Sequence, residues 1–182
     1  MNTLFMDRDG VVNEQIIGGY VENLEQFELK DHFLEAMKIL RSRFRHVVLI
    51  TNQQGIGKGL CTQAQVDAIH SSLQMQLLAQ RTPFDAIYCC PHLASDGCCC
   101  RKPKPGMAFQ ARQDFPDIVL EDSIMVGDSL SDMQFARNAG VVPVHVGAMR
   151  HPEFEEILQV THHHFDDLLD FARHLDLFEK ER

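Results

Sequence analysis

No apolar run in this 182-residue chain approaches the roughly 20 residues a helix needs to cross a bilayer, so no membrane span is expected. Positive charge is not in excess either. With 17 Lys and Arg against 26 Asp and Glu, the net charge of −9 argues against a nucleic-acid surface. A phosphorylated small molecule stays open as a ligand, because a local Arg, Lys or metal decides that. The first residues lack the basic segment, apolar core and small-residue cleavage site of a secretory leader, so a cytoplasmic protein is expected. Repeats, low-complexity tracts and linkers are also missing, which leaves one domain over 1–182. What remains is ordinary for a soluble globular core, with 45% hydrophobic and 24% charged residues. Six cysteines without a leader point to metal or free thiols rather than disulfides.

The chemistry starts at once. A short apolar run, Leu4-Phe5-Met6, breaks into Asp7-Arg8-Asp9-Gly10. Such a run before a turn signal reads as a buried strand, and residues two apart on a strand share a face. Asp7 and Asp9 are therefore expected side by side at the strand end, with Gly10 turning the chain away. Two carboxylates that close repel, so either one holds a proton or a cation neutralises them. A shared Mg²⁺ and a carboxylate nucleophile are both consistent with that.

Further along, Asp31 reads as an N-cap before the helical spacing of Phe33, Met37, Leu40 and Phe44. Val47-Val48-Leu49-Ile50 reads as a strand buried on both faces, ending in Thr51-Asn52-Gln53-Gln54-Gly55. Thr62 with Gln65 makes a capping box for a second helix. Ala86-Ile87-Tyr88 and Ile124-Met125-Val126 are further strands, the latter stopping at Gly127-Asp128-Ser129. Pro105 suits the first turn of a helix, Gly140 a helix C-cap, Val141 to Val146 a fifth strand and Phe165 to Leu177 a C-terminal helix. Alternating strands and helices predict an α/β fold, a Rossmann-like open parallel sheet flanked by helices. Asp7, Asp9, Thr51 and Asp128 then all fall just past carboxyl strand ends, the edge where open parallel sheets bind ligands. His162-His163-His164 reads as a surface turn, Cys61 as a buried or spare thiol, and the end from Glu179 to Arg182 as a fraying helix.

Cysteine supplies a second constellation in the loop 89–101. Cys90, His92, Cys98 and Cys100 form Cys-x-His followed by Cys-x-Cys, a set that fits a closed tetrahedral Zn²⁺ site. Cys89 and Cys99 stand beside proposed ligands and can exchange roles with them. Four protein ligands leave no open position, so this zinc is structural.

Asp7-x-Asp9-Gly10, Thr51-Asn52-Gln53, Lys102 after Arg101, and Gly127-Asp128-Ser129 with Asp132 resemble, in order, the motifs of the haloacid dehalogenase superfamily of phosphotransferases. That resemblance implies Asp7 as nucleophile and Asp9 as general acid and base. It implies Mg²⁺ held by Asp7, the Asp9 backbone carbonyl and Asp128, with Thr51 and Lys102 donating to the transferring phosphoryl oxygens. With Cys-Pro-His and Cys-x-Cys-Arg-Lys-Pro added, the chain is similar to small bisphosphatases acting on D-glycero-D-manno-heptose 1,7-bisphosphate and to histidinol-phosphate phosphatases. Neither uses a large cap domain, and a chain this short has no room for one; a monomer is the default. The heptose substrate, losing its C7 phosphate, is the favoured reading. Gly19, Tyr20, Asn52, Gln53, Gln54, Lys58, Arg101 and Lys102 are then its candidate contacts. Two other readings are a receiver-like phospho-accepting module and a zinc-stabilised binding module with a dead site. The first places its acceptor Asp after a middle strand and lacks an acid–base partner such as Asp9. The second is opposed by the full set of catalytic residue types.

Overall fold

The computed structural model describes residues 1–148, 153–161 and 163–179. Six strands form one parallel sheet in the order β3-β2-β1-β4-β5-β6. They are β1 (Thr3–Met6), β2 (His46–Asn52), β3 (Ala86–Cys90), β4 (Ile124–Gly127), β5 (Val142–Val146) and β6 (His164–Phe165). The helices are α1 (Phe33–Arg43), α2 (Gln54–Gly57), α3 (Gln63–Ala79), α4 (Gly106–Asp114), α5 (Leu130–Ala139), α6 (Phe154–Val160), α7 (Leu168–Arg173) and α8 (Asp176–Glu179).

Side-chain alternation along the strands divides the core into two layers. Leu4, Met6, Val47, Leu49, Ile124 and Val126 face one side, packed on Phe33, Met37 and Leu40 of α1 and Phe171 of α7. Phe5, Val48, Ile50 and Met125 face the other, packed on Met107 and Ala111 of α4 and Phe135 of α5. With both faces covered, β1 and β4 are buried along their whole length, which is why Leu4 to Met6 and Ile124 to Val126 read as continuous apolar runs rather than alternating ones. β1 pairs with β2 and with β4, so its carboxyl end lies at the sheet centre, flanked by Thr51 and Asp128. The order reverses direction at β1, the position where such sheets bind ligands.

Several expectations are corrected. α1 starts one residue after His32, which sits at φ 62° and makes no side-chain cap, so Asp31 is not the cap. Pro105 occupies the N-cap position of α4 rather than its first turn. The expected helix from Phe165 is split: Phe165 belongs to β6, Asp167 caps α7, and α8 follows separately. His164 therefore lies in an edge strand, and His163 packs its ring on Phe178 at 4.6 Å, so neither is in a surface turn. His162 and residues 180–182 lie outside the described residues. The short β6, α2 and α6 carry no periodicity long enough to read. Among the described residues, no helix is long and apolar enough to cross a membrane.

Candidate active site

A cleft of about 150 Å³ opens at the carboxyl ends of β1, β2 and β4. Its lining includes Asp7, Asp9, Asn52, Lys102, Asp128 and Ser129, with Gln15, Ile16, Gly19, Tyr20 and Val21 from the segment between β1 and α1. That segment holds one 3-10 turn, Leu24–Gln26, and is tied down by bridges from Asn13 to Asp9 and to Leu29. Gly10 makes the approach possible. Its φ is +89°, and a Cβ there would stand 1.9 Å from Asp128 Oδ2.

The floor of the cleft is a charge cluster. Lys102 Nζ donates to Asp7 Oδ1 at 2.6 Å and to the Ile50 carbonyl at 3.1 Å. It also lies 2.7 Å from Asp132 Oδ1. Asp132 is fully buried, and its other oxygen accepts from the backbone and hydroxyl of Ser129 at the start of α5. Lys102 is held in place through its backbone, with its N–H donating to Asn52 Oδ1 at 3.0 Å and Asn52 Nδ2 donating to its carbonyl at 3.1 Å. Asn52 thus clamps the lysine as well as lining the cleft.

Asp7, Asp128 and Asp132 present oxygens within 4.8 Å of one another. Against these three acids Lys102 brings one positive charge. Burial, then repulsion from Asp132, pushes Asp7 up to about 7 despite Lys102. Burial and the Asp7 charge also raise Asp128. Lys102 is raised in spite of its burial, by the charges of Asp132 and Asp7. The excess negative charge and the carboxylate oxygens of these three acids fit a hard divalent cation.

Asp9 differs. Burial would raise its pKa, but the Arg8 charge and donors from Asn13, Arg8 and Gln53 lower it. Gln53 is buried and donates from Nε2 both to Asp9 Oδ2 at 2.7 Å and to Thr51 Oγ1 at 2.8 Å. The Thr51 hydroxyl accepts there, which leaves its own proton available. Arg8, Asn13 and Gln53 as holders of Asp9 were not legible in the spacing, because each contact depends on how the chain folds back.

Around the mouth, Lys58 Nζ and Gln54 Nε2 both donate to Tyr20 Oη, at 2.8 Å and 3.2 Å. Arg101 Nη1 reaches the His92 carbonyl at 3.5 Å. On the far side of Asp128, His145 is buried and its Nε2 lies 3.2 Å from the Asp128 carbonyl, where it donates. Its Nδ1 is 2.8 Å from Nδ1 of His164, the rings stacked at 5.0 Å. Nothing in the spacing of these two histidines links them to the cleft.

The cysteine loop also closes. Cys90, His92, Cys98 and Cys100 bring their ligand atoms within 4.8 Å of one another, and neither Cys89 nor Cys99 joins the group. The Sγ of Cys100 lies 3.2 Å from those of Cys90 and from His92 Nδ1, and Cys90 and Cys98 are 3.6 Å apart. Thiolates 2.3 Å from a tetrahedral zinc would be about 3.8 Å apart, so the set is of the right size. No disulfide forms; all six cysteines are free. The loop packs tightly on α4, where a Cβ on Gly106 would stand 2.3 Å from the Cys99 carbonyl oxygen.

Residues 99–171 match a family model described as HAD-hydrolase-like. A D-glycero-alpha-D-manno-heptose-1,7-bisphosphate 7-phosphatase of Mycobacterium tuberculosis (strain ATCC 25618 / H37Rv) is 46% identical over 74% of this chain and 71% of that protein. A D-glycero-beta-D-manno-heptose-1,7-bisphosphate 7-phosphatase of Escherichia coli (strain K12) is 38% identical over 84% of this chain and 83% of that one. The crystal structure of D,D-heptose 1,7-bisphosphate phosphatase from B. bronchiseptica, complexed with magnesium and phosphate, matches with a TM-score of 0.83. The identity is 32%, over 99% of each chain. The protein is thus a phosphoric monoester hydrolase with the haloacid dehalogenase fold. Within that superfamily the chain belongs to the heptose-1,7-bisphosphate 7-phosphatase family.

Proposed function

We propose that this protein is a Mg²⁺-dependent phosphatase that removes the C7 phosphate of D-glycero-D-manno-heptose 1,7-bisphosphate through an aspartyl-phosphate on Asp7. The observation that carries it is the floor cluster. Asp7 faces the cleft with Lys102 beside it and Asp128 and Asp132 behind, in a chain whose relatives act on that sugar.

In the first half-reaction an Asp7 oxygen bonds to phosphorus, the bond from phosphorus to the sugar oxygen breaks, and Asp9 gives that oxygen a proton. The phosphate dianion entering beside Asp9 raises its pKa and so favours the protonated form this step needs. In the second, water attacks phosphorus, Asp9 takes its proton, and inorganic phosphate leaves with Asp7 restored. Thr51 Oγ1 and Lys102 Nζ donate to the phosphoryl oxygens, where charge gathers in the transition state. Asp7, the Asp9 carbonyl and Asp128 would hold Mg²⁺, which would supply charge neutralisation between carboxylate and phosphate. Gly19, Tyr20, Asn52, Gln53, Gln54, Lys58 and Arg101 form or support the rest of the substrate contact. A guanidinium at Arg101 suits the second phosphate. Cys90, His92, Cys98 and Cys100 would hold Zn²⁺, which would fix the loop that carries Arg101 and Lys102.

Phosphate release with Mg²⁺ from the α and β heptose 1,7-bisphosphates, beside histidinol phosphate, tests this reading. A heptose bisphosphate is expected to give the higher kcat/KM by orders of magnitude. Preference for histidinol phosphate would overturn the substrate and leave the chemistry of the floor cluster standing.

A further inference from the structure

Arg8 follows the nucleophile, yet it does not line the cleft and its side chain is fully buried. A guanidinium stays charged, so its donors must be met inside the fold. Its Nη2 donates to Asp9 Oδ1 at 2.9 Å and Oδ2 at 3.1 Å, and Nε lies 3.3 Å from Oδ1. Its other nitrogen, Nη1, lies 3.3 Å from Nε2 of His70 on α3. Arginine only donates, so His70 Nε2 is the bare acceptor and the ring is neutral, its proton on Nδ1. Burial, then the Arg8 charge, pushes His70 down to about 4, which agrees. The ring of Phe27 stands 6.0 Å from the guanidinium carbon.

We infer that Arg8, braced by His70, is a positioning residue that fixes the Asp9 carboxylate where it meets the leaving oxygen. The inference rests on the acid–base role of Asp9 proposed above. Asn13 and Gln53 also hold Asp9, but as neutral amides with one bond each; the two-point charged contact dominates. Arg8 cannot touch substrate, so its effect passes through Asp9 alone. That gives it a signature. A sugar alkoxide needs a proton as it departs, whereas p-nitrophenolate leaves without one. Both reactions need the same fold, the same Mg²⁺ and the same Asp7. The parameter kcat/KM stops at departure of the leaving group, before the water step common to both substrates.

The test measures kcat/KM for heptose 1,7-bisphosphate and for p-nitrophenyl phosphate in wild type, Arg8→Lys, His70→Leu and His70→Gln, with Asp9→Asn as reference. Asp9→Asn and Arg8→Lys are expected to lose about 100-fold or more on the sugar ester and less than about 10-fold on the aryl ester. His70→Leu shows the same split at about 10-fold, and His70→Gln, whose amide oxygen can accept from Arg8, stays within about 3-fold of wild type. If Arg8→Lys does not fold, the two His70 variants decide between the alternatives. Equal losses on both esters, or none, while Asp9→Asn splits them would overturn the role of Arg8. No split in Asp9→Asn would remove the acid–base assignment and this inference together. Wild type inert on the heptose bisphosphate would instead strike the proposed substrate.

Discussion

Among the residues of the cleft, charge decides more than shape. Asp7 is ionised at a cost, since its carboxyl is pushed up to about 7 by burial and its acidic neighbours. Above that pH the free protein carries a repulsion that Mg²⁺ would relieve. Asp7→Asn is expected to fold, to keep or raise its Tm at pH 8 in chelator, and to lose turnover by several orders of magnitude. Calorimetry and phosphate release check both halves; near wild-type turnover would refute the nucleophile. His70 works in the opposite direction. Its folded pKa of about 4 lies below the ordinary 6.5, so the unfolded chain takes up a proton first as the solution is acidified. Stability from this group is complete above about pH 6.5 and falls as the pH drops toward 4, by about 2 kcal/mol at pH 5. Protonation of Asp7 offsets this over the same interval in both proteins, so urea titrations at pH 7 and pH 5 should show the stability of wild type relative to His70→Gln falling by about 2 kcal/mol. Asp7, Asp9 and Asp128 were legible because a strand end fixes where they point. Arg8 to His70, a pair 62 residues apart, was not, because the contact exists only once α3 has docked.

At the level of elements, the cysteine loop connects stability to catalysis. It leaves β3 at Cys90, gathers the four candidate zinc ligands, and returns through Lys102 to the floor of the cleft. Removing the proposed zinc with a strong chelator is expected to raise hydrogen exchange over residues 90–105 and lower turnover, while the Mg²⁺ concentration for half activity stays put. Full activity in demonstrably zinc-free protein would contradict this. Gly106→Ala should act alike, since its methyl would run into the Cys99 carbonyl, a backbone atom with little room to yield. Strong local signals fared well in the sequence. The capping box of Thr62 with Gln65 and the Gly140 cap, at φ 73°, are both present. Weak ones did not. The segment from Phe165 reads as helix by composition, but pairing with β5 draws Phe165 into the sheet and leaves Asp167 to start α7 afresh. Tertiary pairing overrode local propensity there.

Over the whole molecule, one arrangement accounts for the chemistry. A parallel sheet with helices on both faces directs all its carboxyl ends one way. The order β3-β2-β1-β4 puts Asp7 between the residues that end β2 and β4. The sheet order was not legible, since alternation of strands and helices fixes parallel direction and not which strands are neighbours. The segment that lines the cleft mouth, from Gln15 to Val21, has no periodicity that fixes its path, and only the family resemblance brought its Gly19 and Tyr20 to the site. The most direct measurement of the account is a rapid quench during turnover of the heptose bisphosphate with Mg²⁺, followed by borohydride reduction and peptide mass spectrometry. An acyl phosphate on Asp7 would be reduced to homoserine, so homoserine at position 7, absent without substrate, is the expected result. Turnover that proceeds with position 7 unmodified, or with the reduced residue elsewhere, would contradict the covalent role of Asp7.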